Sequence, residues 1–146
     1  MSGAPPLHAT LVAYRERCAW SGVLVRGPSG AGKSEVALRL LRRGWRLVAD
    51  DRVLVWSSGG RLWGRAPEVL HGLLEVRSVG VLPFPALSFA EIVRVVDCTP
   101  APEALERIPA DASTAICGVS LPIHTIDALA CSAADKVAAL CGAVRL

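Results

Sequence analysis

Residues 27–34 read Gly-Pro-Ser-Gly-Ala-Gly-Lys-Ser, and this run restricts the fold more than any other part of the chain. It fits G-x-x-x-x-G-K-[ST], a pattern that works only between a strand and the helix that follows it. Both flanks agree. The preceding "GVLVRG" is a short apolar run of the kind a buried strand shows. Residues 34–43 place Val36, Ala37, Leu40 and Leu41 at helical spacing. Arg42 and Arg43 then suit the negative end of the helix dipole, and Gly44 suits a left-handed residue just past it. In such a loop the backbone N–H groups turn inward as a nest for phosphate oxygens, and the helix start adds positive potential. Gly27, Ser29, Gly30, Ala31, Gly32, Lys33 and Ser34 are therefore the expected phosphate cradle. Lys33 reaches the β- and γ-phosphates, and the Ser34 hydroxyl is a ligand for Mg²⁺. ATP and Mg²⁺ are the expected cofactors.

A second chemical signal follows at once. The apolar "WRLVA" ends in Asp50 and Asp51. Neighbouring side chains at a strand end face opposite sides, so the two carboxylates are free to take different roles. One can help to hold the metal, and the other can accept a proton from an attacking hydroxyl.

Bulk properties narrow the remaining choices. A chain of 146 residues suits one domain and buries roughly 70% of its unfolded surface. With 52% hydrophobic but only 5% aromatic residues, Val, Leu, Ala and Ile must fill the core, which favours an α/β architecture. The net charge of +3 is small, and the arginines are scattered, so nucleic acid is not an expected partner. The 5 cysteines include no C-x-x-C pair. They read as free thiols in a reducing compartment, with neither a zinc site nor a disulfide framework. No secretory leader and no membrane span is visible, so the cytoplasm is the expected location.

Along the rest of the chain, residues 1–6 read as a loose tail and 7–14 as a strand, with a turn from Arg15 to Ser21. Strands are expected at "WRLVAD" and "RVLVW", then a tight turn at 57–60 and the short strand "RLWG". Residues 68–82 fit no single period and are left unassigned. A proline-rich loop spans 83–89, a strand covers "AEIVRVVDC", and 99–114 reads as a long mobile loop. "AICGVSLPIHTI" reads as one or two strands broken at Pro122. The final expected element is a helix over "SAADKVAALCG", with Ser132 as its N-cap and Gly142 past its end.

Taken together, "GPSGAGKSE" followed by "LVADDRV", with "LLEVRSVGV" at 73–81 and "HATLV" at 8–12, resembles the catalytic domain of HPr kinase/phosphorylase. The resemblance covers about residues 7–130. It is closest to the short form seen in alphaproteobacteria, which lacks an extra N-terminal domain. The resemblance implies a P-loop domain related to the phosphoenolpyruvate carboxykinase core, with a mixed β-sheet and flanking helices; the chain's length and the lack of a visible linker make residues 1–146 a single expected domain. The resemblance further implies an ATP-dependent serine kinase acting on HPr or an HPr-like phosphocarrier of the phosphotransferase system. In the reverse reaction, inorganic phosphate would attack phosphoserine and release pyrophosphate. A homo-oligomer, hexameric in the long forms, is also implied. Position by position, Asp50 and Glu75 would lie near the metal with Ser34, and Asp51 would be the base. His8 would lie close to the phosphate, and Arg107, in "LERIP", would belong to a mobile loop that stabilises the transferred group. Two departures stand out. Ser78 replaces a glycine of the family's R-G-L-G, which is costly where φ must be positive. The 99–114 loop carries Arg107 as its one basic residue. Two other readings remain open on the residues alone: a small-molecule kinase on a carboxykinase-like scaffold, and a non-catalytic nucleotide-binding regulator.

Overall fold

The computed structural model describes residues 5–142. Most of the expected loose tail, residues 1–4, lies outside the described residues. The chain opens with two long strands, β1 (Ala9–Glu16) and β2 (Ala19–Arg26), paired antiparallel along their whole length. Only Arg17 and Cys18 separate them, so the expected Arg15–Ser21 turn is much tighter than the polar composition suggested. Arg17 has a positive φ of 58°, which gives a two-residue hairpin the twist its strands need.

The helix α1 (Lys33–Leu41) follows the phosphate loop, and β3 (Arg46–Ala49) returns antiparallel to β1. The hairpin β4 (Leu54–Ser58) and β5 (Arg61–Arg65) turns at Gly59–Gly60, as its sequence predicts. After a 3₁₀ turn at Glu68–Leu70, β6 (Leu73–Val76) and β7 (Gly80–Pro83) form a separate two-stranded sheet. The long strand β8 (Ala90–Cys98) re-enters the main sheet. A 3₁₀ turn at Pro102–Ala104 interrupts the expected 99–114 loop, and β9 (Ser113–Ile116) begins before it ends. The chain continues through β10 (Val119–Ile126) to α2 (Ala133–Gly142). Gly142 is the last residue of that helix, not a residue beyond it, and its first turn starts where Lys136 N donates to Ser132 O.

The sheet order is β3-β1-β2-β8-β10-β9, with β5 attached to β8. The β2–β8 and β8–β10 pairs are parallel and the others antiparallel, giving a mixed sheet. One edge of β8 changes partner along its length. Residues 90–92 pair with β5 and 95–98 with β10, and a register shift opposite Gly22/Val23 leaves Val93 unpaired. Pro122 does not break β10. The β8 ladder begins only at Ile123, whose N–H donates to Ala112 O just before β9, so the missing proline N–H faces a side with no partner to lose. The break in "AICGVSLPIHTI" falls instead at Cys117–Gly118, between β9 and β10.

Strand alternation sorts the core into two layers. Val12, Val23, Val25 and Val96 face both helices, meeting Val36 and Leu40 of α1 and Val137 of α2. Leu11, Leu24, Ile92 and Val95 face the other way, with Val53 and Leu62. Each such aliphatic side chain stabilises the fold by about 1.5–3 kcal/mol when fully buried. The strands therefore form a stiff frame. Its β2, β3 and β10 ends, and the start of antiparallel β1, carry the polar residues described next. Among the described residues no helix is long and apolar enough to cross a membrane.

Candidate active site

A cleft of about 300 Å³ opens where β2, β3 and β10 end and β1 begins. Its floor is the phosphate loop. Gly32 is the N-cap of α1 with φ +100°, a conformation that disfavours a side chain. A Cβ on Gly32 would lie 3.0 Å from Leu129 Cδ2 and 3.1 Å from Ala128 Cβ, so the turn after β10 sits directly against the loop. On the strand side, a Cβ on Gly27 would meet Cys98 O at 2.8 Å. Burial pushes the Cys98 thiol up to about 12, and nearby Lys33 works against that rise. Lys33 is nearly buried, and its Nζ donates to Gly27 O at 2.8 Å and Pro28 O at 3.2 Å. The ammonium is thus held inside the loop it serves.

Asp50 and Asp51 point to different places, but not by strand alternation: β3 ends at Ala49, and the left-handed turn at Asp51 parts them. Asp50 is buried and its carboxylate accepts three hydrogen bonds. Thr10 Oγ1 donates to Oδ1 at 2.8 Å, Ser34 Oγ to Oδ1 at 3.0 Å, and Glu75 N to Oδ2 at 3.1 Å. Each donor comes from a different element, so this single carboxylate ties β1, α1 and β6 to the end of β3. Thr10 is fully buried. It lies on the same face of β1 as Val12, which is why a hydroxyl is tolerated there: it has a charged partner.

Asp51 is exposed and has φ +69°, a region that Asp visits more readily than most residues but still at some cost. Its Oδ1 lies 2.9 Å from His8 Nε2, just before β1. Arg52 Nε is more distant from Oδ2, at 3.9 Å. A carboxylate and an imidazole are thus in contact, both open to the cleft, an arrangement that can accept a proton.

The cleft brings together His8, Ser29, Gly30, Gly32, Lys33, Ser34, Asp50, Asp51 and Glu75. Gly27 and Ala31 belong to the loop but do not line the cleft. Glu75 reaches Asp50 through its backbone, while its side chain is exposed. Arg107 lies outside the cleft, on an exposed loop. The arginines that do line it are Arg39 and Arg77. Of these, only Arg77 falls in a segment that carries the family resemblance, "LLEVRSVGV". Sequence reasoning also missed Thr10, Glu35, Ala128 and Leu129; a threonine on the apolar face of "HATLV" was the one available clue. None of the four tryptophans lines the cleft.

Ser78 sits in the turn between β6 and β7, where Val79 N donates to Val76 O at 2.9 Å. Its φ is +68°. The third residue of a type II turn has this geometry and prefers glycine, so the expected cost is present here.

Among the described residues no group of three or more His, Cys, Asp and Glu side chains converges as a ready-made metal cage. The donor set nevertheless suits Mg²⁺, which takes hard oxygen ligands, commonly one or two carboxylates, with phosphates and water supplying the rest. Asp50 Oδ2 and the lone pairs of Ser34 Oγ remain available.

A family model described as "HPr Serine kinase C-terminal domain" matches residues 6–133. Curated relatives named HPr kinase/phosphorylase match half of the chain. The protein of Streptococcus thermophilus is 54% identical over 74 residues, which are 50% of this chain and 24% of the relative. That of Brevibacillus brevis is 51% identical over 76 residues, 51% of this chain and 24% of the relative. The match thus spans about a quarter of the length of these relatives. The solved structure of the Hpr(Ser) kinase/phosphatase from Coxiella burnetii superposes with a TM-score of 0.81 over 95% of each chain at 22% identity, which shows a shared fold. The chain belongs to the HPr Serine kinase C-terminal domain family.

Proposed function

We propose that the chain is an ATP-dependent serine kinase acting on HPr or an HPr-like phosphocarrier of the phosphotransferase system. One observation carries this reading: the Asp51–His8 pair, 2.9 Å apart, opens onto the same cleft as the phosphate loop. The curated relatives' name supports the choice of acceptor.

In this reading Gly27, Ser29, Gly30, Ala31 and Gly32 wrap the phosphates, and Lys33 trades its loop carbonyls for β- and γ-phosphate oxygens. Ser34 and Asp50 would hold Mg²⁺, with Glu75 nearby. When bound, the ion would offset the charge on the phosphate oxygens. Asp51 accepts the serine hydroxyl proton as the serine oxygen attacks the γ-phosphorus. The bond from that phosphorus to the β–γ bridging oxygen breaks, and ADP leaves with the electron pair. His8 fixes the orientation of Asp51 and shares the proton. The same carboxylate serves the reverse direction: a phosphate oxygen attacks the phosphoserine phosphorus, Asp51 takes the phosphate proton, and the serine oxygen recovers it as pyrophosphate forms.

Arg77 already lines the cleft, where a guanidinium fork suits a phosphoryl group. Arg107 takes part only if its loop carries it over the cleft. We further propose that residues 1–146 work as one domain in the cytoplasm, as a homo-oligomer. The sheet that links β1 to β10 supports the first point. The exposed Val69, Val79 and Val81 near the β6–β7 hairpin support the last.

The test is incubation of purified protein and ATP·Mg²⁺ with an HPr-like carrier, read by mass spectrometry. One phosphate on one carrier serine is expected. A set of such carriers left entirely unmodified would defeat the reading.

A further inference from the structure

Leu129 is a large apolar side chain left 65% exposed at the mouth of a polar cleft. The turn that presents it is firmly built. Leu129 N donates to Asp127 Oδ1 at 3.1 Å, and Ala130 N to Asp127 O at 3.2 Å. Arg39 Nη1, from α1, donates to Cys131 O at 2.9 Å and clamps the turn's far end. Leu129 Cδ2 then lies over the backbone of Gly32, 3.0 Å from where a Cβ would stand.

Sheet order fixes which end of the cleft this is. Asp51 follows β3 and His8 precedes β1, which lie two places and one place to one side of β2. Leu129 follows β10, two places to the other side. Neighbouring strands are about 4.8 Å apart, so β3 and β10 are separated by roughly 19 Å across the phosphate loop. The proton-accepting pair marks the end where the γ-phosphate meets its acceptor. A nucleoside attached to the other end of the triphosphate therefore extends toward Leu129. A nucleobase has broad apolar faces, and an exposed leucine on a hydrogen-bonded turn offers the matching surface.

We propose that Leu129 is the apolar shelf against which the face of the nucleobase rests. The inference builds on the nucleotide-binding reading above and assigns the base a contact that the phosphate motif does not supply. Covering one leucine face corresponds to a change in affinity of about five- to tenfold.

The experiment is calorimetric titration of Mg²⁺-ATP and of Mg²⁺-tripolyphosphate, which has no base, into wild type, Leu129→Ser and Leu129→Met. Leu129→Ser is expected to weaken ATP about five- to tenfold and to leave tripolyphosphate within about twofold of wild type. Leu129→Met is expected to keep ATP affinity. Because the side chain is exposed, the melting temperature should stay that of wild type. Two results would overturn the shelf alone: ATP bound equally by wild type and Leu129→Ser, or equal losses for both ligands. Wild type binding neither ligand would instead remove the nucleotide reading, and the shelf with it.

Discussion

Replacing Thr10 by Val tests the structural centre of the site. The swap exchanges a hydroxyl for a methyl of nearly the same shape, so no cavity opens around this fully buried residue. It removes one of three hydrogen bonds to the buried Asp50 carboxylate, the shortest at 2.8 Å. A hydrogen bond to a charged group contributes about 1.5–3 kcal/mol. Oδ1 keeps its bond from Ser34, so the loss belongs at the lower end, about 1.5–2 kcal/mol. Unfolding entropy of about 2.1 cal/mol/K per residue over 146 residues then converts this to a fall of about 5–7 °C in Tm. Circular dichroism melts of wild type, Thr10→Val, Asp50→Asn and the double variant give the pairwise coupling. The expected result is a substantial cost of Thr10→Val in wild type and a smaller cost in the Asp50→Asn background. An unchanged or higher Tm for Thr10→Val, or equal costs in both backgrounds, would refute the tie between β1 and the end of β3.

Other perturbations test separate parts of the account. Ser78→Gly should raise stability by about 0.5–1 kcal/mol, because relief of a left-handed residue outweighs the added freedom of the unfolded chain; urea unfolding measures it. Iodoacetamide at pH 8 should modify Cys18, Cys117 and Cys131 quickly, while buried Cys98 and Cys141 react only on unfolding, as peptide mapping would show. Burial pushes Cys141 up to about 11 and Cys98 up to about 12, above the ordinary thiol value of 9.0. Below about pH 9 both states keep these protons and the thiols contribute no slope. Above it the unfolded chain releases them first, so stability falls as pH rises toward 12. The fall should be shallower in Cys98→Ala. Arg77→Ala should slow phosphoryl transfer to the carrier by at least about tenfold, a loss expected when a charged hydrogen bond to the reacting group goes. If Arg107→Ala slows transfer more than Arg77→Ala, the 99–114 loop closes over the cleft during the reaction.

The parts of the fold that could be read from sequence are those determined locally. The phosphate loop, its strand and helix, and the Gly59–Gly60 turn each depend on neighbours in the chain. Asp50 and Asp51 do face different surroundings, as read from sequence, but for another reason: β3 ends at Ala49 and Asp51 turns into the left-handed region, which strand alternation does not describe. The β6–β7 hairpin resisted assignment because all four residues of β7 are exposed, leaving no inward and outward contrast. Pro122 misled because a rule about central strands does not apply where β10 has not yet met β8. Arg39 and Leu129 were invisible for a different reason, and Thr10 left only its place on an apolar strand face as a clue. Each acquires its place only when strands distant in sequence become neighbours, and no spacing rule encodes that contact. Arg107 was chosen by resemblance, and the structure leaves it on an exposed loop while Arg39 and Arg77 line the cleft.

We propose that Asp51 is the base of a phosphoryl transfer whose nucleotide is held by other residues. The direct measurement pairs the transfer rate to an HPr-like carrier with the ATP affinity of the same protein, for wild type and Asp51→Asn. General-base loss predicts a rate lower by about 10²–10⁴-fold, with ATP affinity within about threefold of wild type, since the phosphate loop is untouched. Transfer by Asp51→Asn at the wild-type rate would contradict the account, whatever its affinity for ATP.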